Sequence, residues 1–285
     1  RVFQRLEWVI QEGRGLGFTG RAEDRVGNQG QKSVSVNLDK TAPMVSAGLD
    51  FSVIEGSTAS FAGSVTDNLD ESPVFRWAFG DGGTISQVQN PGHVYLENGA
   101  YTAVLVSTDH AGHFSSDSVI ASVLNAAPVI APMQDRSAKE GDFIEVSASF
   151  TDPGVLDTHT AELDWGDGIV SGATISEIRG SGSAAARHAY GDNGLYTAKL
   201  TVRDDDGGVS SSTFKVTIAN AAPALAALPD LNSPEGGFIQ LPPASFADSG
   251  FDNPSGNTVE NFTAFIDWGD GTVEPAGDIT LVEVE

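Results

Sequence analysis

Tyr196-Thr-Ala-Lys-Leu-Thr-Val-Arg203 alternates apolar and polar side chains with a period of two. Tyr196, Ala198, Leu200 and Val202 fall on one face, and Thr197, Lys199, Thr201 and Arg203 on the other. Successive side chains of an extended chain point to opposite sides, so the pattern specifies a β-strand buried on one face. Phe143 to Phe150, Ala161 to Trp165 and Thr213 to Ala219 are also rich in β-branched and aromatic residues, and Gly, Asp, Asn and Pro separate them. Helical periodicity is hard to find anywhere in the sequence. Roughly seven such strands in about 90 residues predict an all-β chain of antiparallel, immunoglobulin-like β-sandwiches.

Three anchors recur in fixed order and set the domain organisation. Ala-Pro occurs at Ala42-Pro43, Ala127-Pro128 and Ala222-Pro223, and twelve residues after each proline comes a glutamate followed by glycine: Glu55, Glu140 and Glu235. A Gly-Asp-Gly element after an aromatic residue follows, behind Phe79, Trp165 and Trp268. Two copies continue to His93-Val-Tyr95-Leu-Glu-Asn-Gly99-Ala-Tyr101 and His188-Ala-Tyr190-Gly-Asp-Asn-Gly194-Leu-Tyr196, and the third stops before this element. Intervals of 85 and 95 residues between prolines exceed a solenoid repeat and suit whole small domains in tandem. Tyr101 and Tyr196, each just after Asn-Gly-x, sit where a tyrosine corner is expected.

The chain has 285 residues, no cysteine and a net charge of -24. Disulfide frameworks and thiolate metal sites are excluded, and clustered Lys and Arg for a nucleic-acid backbone are lacking. Cations are the expected ligands. Residues 222–285 carry eleven acidic and no basic side chains, whereas residues 1–41 carry seven basic and five acidic ones. No apolar run is long enough to span a membrane. A first residue of Arg1 reads as a piece of a longer protein, with any export signal or anchor expected outside it.

Gly-Asp-Gly between extended runs reads as a hairpin turn, because Gly accepts positive φ and Asp bonds its own downstream backbone. The acids around it are of more interest as ligands. Asp152 and Asp157, and Asp248 and Asp252, lie on the loop before the strand that bears Asp164 or Asp267. Such clusters offer several of the six to eight hard oxygens that calcium takes. Ala78 replaces the corresponding aspartate in the first copy.

The combination of Ala-Pro linker, Glu-Gly, FGDG or WGDG, His-x-Tyr-x-x-x-Gly-x-Tyr-Thr and a closing Thr201-Val-Arg-Asp-Asp-Asp-Gly-Gly208 resembles PKD domains, β-sandwich modules strung along large bacterial exported proteins. The resemblance implies PKD-like sandwiches over 42–126 and 127–221 and a truncated one over 222–285. Residues 1–41 are similar to the C-terminal half of a bacterial immunoglobulin-like repeat. Some PKD domains bind calcium near the interdomain linker, which implies Asn125 with Asp152 and Asp164, and Asn220 with Asp248 and Asp267, as ligands.

Gly15-Leu-Gly-Phe-Thr-Gly20 matches a dinucleotide-binding spacing, but no apolar helical face follows it. His93 and His188 read as buried or bridging residues beside a tyrosine, since no second histidine sits at ligand spacing. No catalytic signature occurs. The expected function is therefore a noncatalytic extracellular or cell-surface array, a spacer or adhesive stalk meeting protein or polysaccharide. Linkers Asn125-Ala-Ala-Pro128 and Asn220-Ala-Ala-Pro223 are short and stiffened by proline. The alternative is a substrate-binding accessory region of a secreted hydrolase, marked by an exposed aromatic platform; Trp165 and Trp268 sit at positions expected to be buried, which leaves Trp8 and Trp77.

Overall fold

The computed structural model describes residues 11–83 and 85–275, and among them there are strands and turns but no helix. They form two compact units, Arg1–Ala126 with Pro153–Leu156 and Ala127–Asp152 with Asp157–Glu285. Trp8 lies outside the described residues.

The first unit contains β1 (Gly13–Glu23), β2 (Gln29–Leu38), β3 (Met44–Ser46), β4 (Phe51–Ile54), β5 (Thr58–Ser60), β6 (Ser64–Thr66), β7 (Val74–Ala78), β8 (Gly92–Val94), β9 (Gly99–Thr108) and β10 (Phe114–Leu124). β1 and β2 form an antiparallel hairpin with mostly exposed side chains. The Gly15 to Gly20 run lies inside β1, so no helix N-terminus exists there to take a phosphate. The other strands build a sandwich. One sheet runs β4-β10-β9-β7, with β4 parallel to β10, and the pairs β3-β6 and β5-β8 complete it. Phe61, Trp77, Phe79, Tyr95, Leu105 and Val119 fill the space within.

In the second unit β11 (Val129–Ile130), β12 (Arg136–Lys139), β13 (Phe143–Thr151), β14 (His159–Asp164), β15 (Val170–Ile178), β16 (Ser181–Ala189), β17 (Gly194–Asp204) and β18 (Val209–Ala219) form the second sandwich. β15 pairs β14 through Val170 to Ala173 and β16 through Thr174 to Ile178, so it passes from one sheet to the other. The sheets are thereby β11-β13-β16-β15 and β14-β17-β18-β12, with β12 parallel to β18. On β17, Ala198, Leu200 and Val202 face the core and Thr197, Lys199 and Arg203 face out, as the period of two dictates. Thr201 is the departure, buried although it lies on the polar face. Trp165, Phe150, Leu163, Phe214, Val216 and Ile218 complete this core.

Residues 222–275 add only the short pairs β19 (Ala224–Leu225) with β20 (Phe246–Ala247) and β21 (Phe265–Asp267) with β22 (Val273–Pro275). Two expectations about tryptophan are corrected here. Trp77 is wholly buried and cannot serve as a surface platform, because its side chain packs into the first core with Phe61, Phe79 and Leu105. Trp268 is 43% exposed, because β21 pairs only with β22 and no second sheet covers it among the described residues.

Leu200→Ala removes a side chain that is 1% exposed and should cost the second unit about 2–5 kcal/mol. Lys199→Ala, one position along on the outer face, should stay within about 0.5 kcal/mol. Urea unfolding curves of the two variants check the alternation directly, and equal losses would refute it.

Candidate functional site

The Gly-Asp-Gly element is the hairpin turn that its residues dictate. Asp164 pairs with Val170 across it, and Gly166 and Gly168 take φ values of 81° and 88°. A Cβ at Gly166 would meet the Thr197 carbonyl oxygen at 2.5 Å. Asp167 Oδ1 accepts from the Ile169 amide at 3.1 Å, and its Oδ2 lies 2.7 Å from His188 Nε2. His188 stacks on Trp165 at 4.9 Å, while the Tyr190 hydroxyl donates to the Trp165 carbonyl at 2.9 Å. The first sandwich repeats this arrangement with Asp81, His93, Phe79 and Tyr95. Burial opposes ionisation of Asp81, but the Gly83 amide and His93 outweigh it and hold its carboxyl below the usual range. Burial pushes the Tyr95 hydroxyl up to about 12, consistent with its role as a hydrogen-bond donor in the core. Tyr101 and Tyr196 donate to the carbonyls of Glu97 and Asp192 at 3.0 and 2.8 Å, which makes both of them tyrosine corners.

Glu-Gly turns out to be an anchor that the sequence reading used as a marker without assigning it work. Glu55 follows β4 and Glu140 follows β12, and both are almost fully buried. Their amides donate to the carbonyls of Leu124 and Ala219, each at 3.1 Å, and the next glycine donates to Tyr95 or Tyr190, each at 2.9 Å. So placed, Glu55 Oε1 accepts from the Ala126 amide at 2.7 Å and Glu140 Oε1 from the Ala221 amide at 2.6 Å. Each carboxylate ties down the linker that leaves its own sandwich. The threefold recurrence at one offset was the signal; Glu235, in the third copy, is exposed.

The acids singled out from sequence are distributed as follows. Carboxylate oxygens of Asp152 and Asp157, both buried, lie within 4.8 Å of each other. Asp152 also meets His159 Nε2 at 3.3 Å, and the other ring nitrogen lies 2.7 Å from Glu177. Burial opposes protonation of His159, but hydrogen bonds to Asp152 and Glu177 and their charge outweigh it and raise its pKa. Asp164 and Asp267 cap the Gly166 and Gly269 amides of their own turns, Asp248 caps Gly250, and Asp252 accepts from the Glu260 amide. No carboxylate triad among the described residues includes these four. Asn220 donates to the Ala221 carbonyl, and Asn125 holds a buried side-chain oxygen at the other linker.

A triad that sequence reasoning did not single out occurs within the second unit. Glu140, Asp192 of the tyrosine-corner loop and Glu260 bring carboxylate oxygens within 4.8 Å of one another. Glu140 Oε2 is buried and has no hydrogen-bond partner among the described residues. Burial raises the pKa of Glu260, and the charges of Glu140, Asp192, Asp248 and Asp252 raise it further. The chain folds residues 249–255 against the second sandwich to reach this point: Phe251 donates to the Gly191 carbonyl at 2.9 Å, and Asn253 Nδ2 donates to the Asp167 carbonyl at 3.2 Å. A side chain at Gly141 would place Cβ 2.2 Å from the Ser249 carbonyl oxygen, so glycine is required there for a second reason besides its φ of 77°.

A family model for the PKD domain matches residues 40–123 and again 125–218, together more than half of the chain. The chain belongs to the PKD domain family. Two PKD modules in tandem make it a modular array, and PKD domains are generally noncatalytic modules that occur in extracellular or surface proteins. Among solved structures, the PKD1 domain of Vibrio anguillarum Epp is 26% identical, with 30% of this chain covering 96% of that one at a TM-score of 0.26. The PKD domain of an M14-like peptidase from a Thermoplasmatales archaeon is 22% identical, covering 33% of this chain and 98% of that one at a TM-score of 0.28. Tandem immunoglobulin domains of titin are 14% identical, covering 63% of this chain and 98% of theirs at a TM-score of 0.30.

Glu55→Ala leaves the half-buried Ala126 amide without its acceptor and should cost the first PKD module about 1–3 kcal/mol. Glu55→Gln keeps an acceptor oxygen at the same reach and should recover most of that loss. Thermal melts that rank the two variants equally would show that the hydrogen bond is not what holds the linker.

Proposed function

We propose that this array is a noncatalytic spacer or adhesive stalk of a larger extracellular or cell-surface protein, whose modules meet extracellular protein or polysaccharide. The observation that supports it is the glutamate anchor. In both PKD modules a buried carboxylate binds the linker amide, which holds the first residues of the linker against the sandwich they leave. Proline at position 128 and again at 223 restricts the residue before it to extended geometry. Asp81 and Asp167 of the Gly-Asp-Gly turns spend their oxygens on backbone amides and a structural histidine. The chain lacks cysteine, so spin labels can be placed at will. With labels at Ser116→Cys and Lys199→Cys in the full chain, pulsed electron resonance should give a narrow distance distribution that Glu55→Ala broadens. A native distribution as broad as that of the variant would overturn the spacer reading.

One observation favours the accessory reading for the second module. Phe143 and Phe251, both exposed, line an open groove with Arg187, His188 and Asn253, and the Arg187 guanidinium lies 5.1 Å from the Phe143 ring centre. Flat apolar faces beside hydrogen-bonding side chains suit a sugar ring. On this reading the full chain is retained on insoluble polysaccharide, and Phe143→Ala weakens retention about tenfold; passage of the native chain through every polysaccharide tried would leave the groove to protein contacts.

A further inference from the structure

We propose that Glu140, Asp192 and Glu260 bind a single divalent cation, calcium by preference, at the point where the second linker leaves the second PKD module. None of the three was a candidate on sequence grounds, and the site does not depend on the spacer reading.

Three carboxylates whose oxygens lie within 4.8 Å of one another fit around one calcium ion, because ligands at 2.3–2.6 Å on opposite sides of it are separated by roughly 5 Å. The second observation is the buried Glu140 Oε2, which has no hydrogen-bond partner among the described residues. An oxygen left without a partner in the interior is costly, and a bound cation supplies what the protein does not. Oε1 of the same group is held by the Ala221 amide, which fixes the carboxylate in place. Asp192 is positioned by the tyrosine corner, since its own carbonyl accepts from Tyr196. Glu260 is positioned by the Asp252 carboxylate on its amide and by Gly250, where a Cβ would stand 2.8 Å from Glu260 Oε1. No Lys, Arg or His pairs with any of the three among the described residues, and residues 222–285 contain no Lys or Arg. The charge is therefore gathered without internal compensation. Magnesium, which demands near-ideal octahedral geometry and gives up water reluctantly, suits this irregular set less well.

The test is isothermal titration of calcium chloride into the full chain, together with thermal melts, against sodium chloride at equal ionic strength and magnesium chloride at equal concentration. Binding is expected in the range of about 0.1–1 mM usual for extracellular modules, with a rise in melting temperature that neither control salt reproduces. Asp192→Asn with Glu260→Gln should remove one calcium equivalent and, by relieving repulsion, raise the melting temperature in calcium-free buffer. Glu140→Gln keeps the Ala221 hydrogen bond and should weaken binding at least tenfold, whereas Glu145→Gln on the exposed face of β13 should change nothing. No calcium-specific heat in the native chain, or an unchanged number of calcium equivalents in the double variant, would overturn the proposal. The spin-label distances, recorded without calcium, report on the spacer reading separately.

Discussion

A buried carboxylate bonded to a linker amide ties each PKD module to the segment that leaves it. Removing a carboxylate from water is expensive unless hydrogen bonds replace its hydration. Glu55 and Glu140 offset part of that cost by accepting from the Ala126 and Ala221 amides through one oxygen, and they reach them because the glutamate and the following glycine are clamped by the last strand and by the core tyrosine. Strand pairing, side-chain burial and linker direction are therefore one connected set of bonds.

The aromatic, histidine and aspartate groups show how one arrangement is used twice. In each PKD module the turn aspartate binds a histidine, the histidine lies on the aromatic residue before the turn, and the next tyrosine returns to that residue's carbonyl. The aspartate oxygens, the histidine Nε2 and the tyrosine hydroxyl are all engaged in holding the hairpin. This is why a conspicuous cluster of Asp, His and Tyr carries no reactive geometry: a nucleophile or general acid needs an atom free to reach a substrate.

The fold was legible because its signals are local. Alternation on Tyr196 to Arg203 follows from the pleat of a strand, and Gly-Asp-Gly encodes a hairpin through permitted φ values and side-chain caps. The tyrosine corners at Tyr101 and Tyr196 were legible for the same reason, since donor and acceptor lie four residues apart. Trp268 was misread because burial depends on whether another sheet covers a strand, which no local pattern records. The candidate site was less legible than the fold. Asp152 and Asp157 come together from one loop, whereas Asp164 and Asp267 turn out to cap glycines two residues on.

The sequence by itself determined the two-sheet architecture, the tandem organisation and the positions of turns and corners, because each rests on interactions between residues near one another in the chain. Only the tertiary structure decided that the carboxylates of Glu140, Asp192 and Glu260 come together, that Glu55 and Glu140 hold the linkers, and that Trp77 is core while Phe143 is surface. Those facts join residues as far as 120 positions apart, and proximity across such a distance is set by how sheets pack and strands cross, which leaves no periodic trace in the amino-acid order.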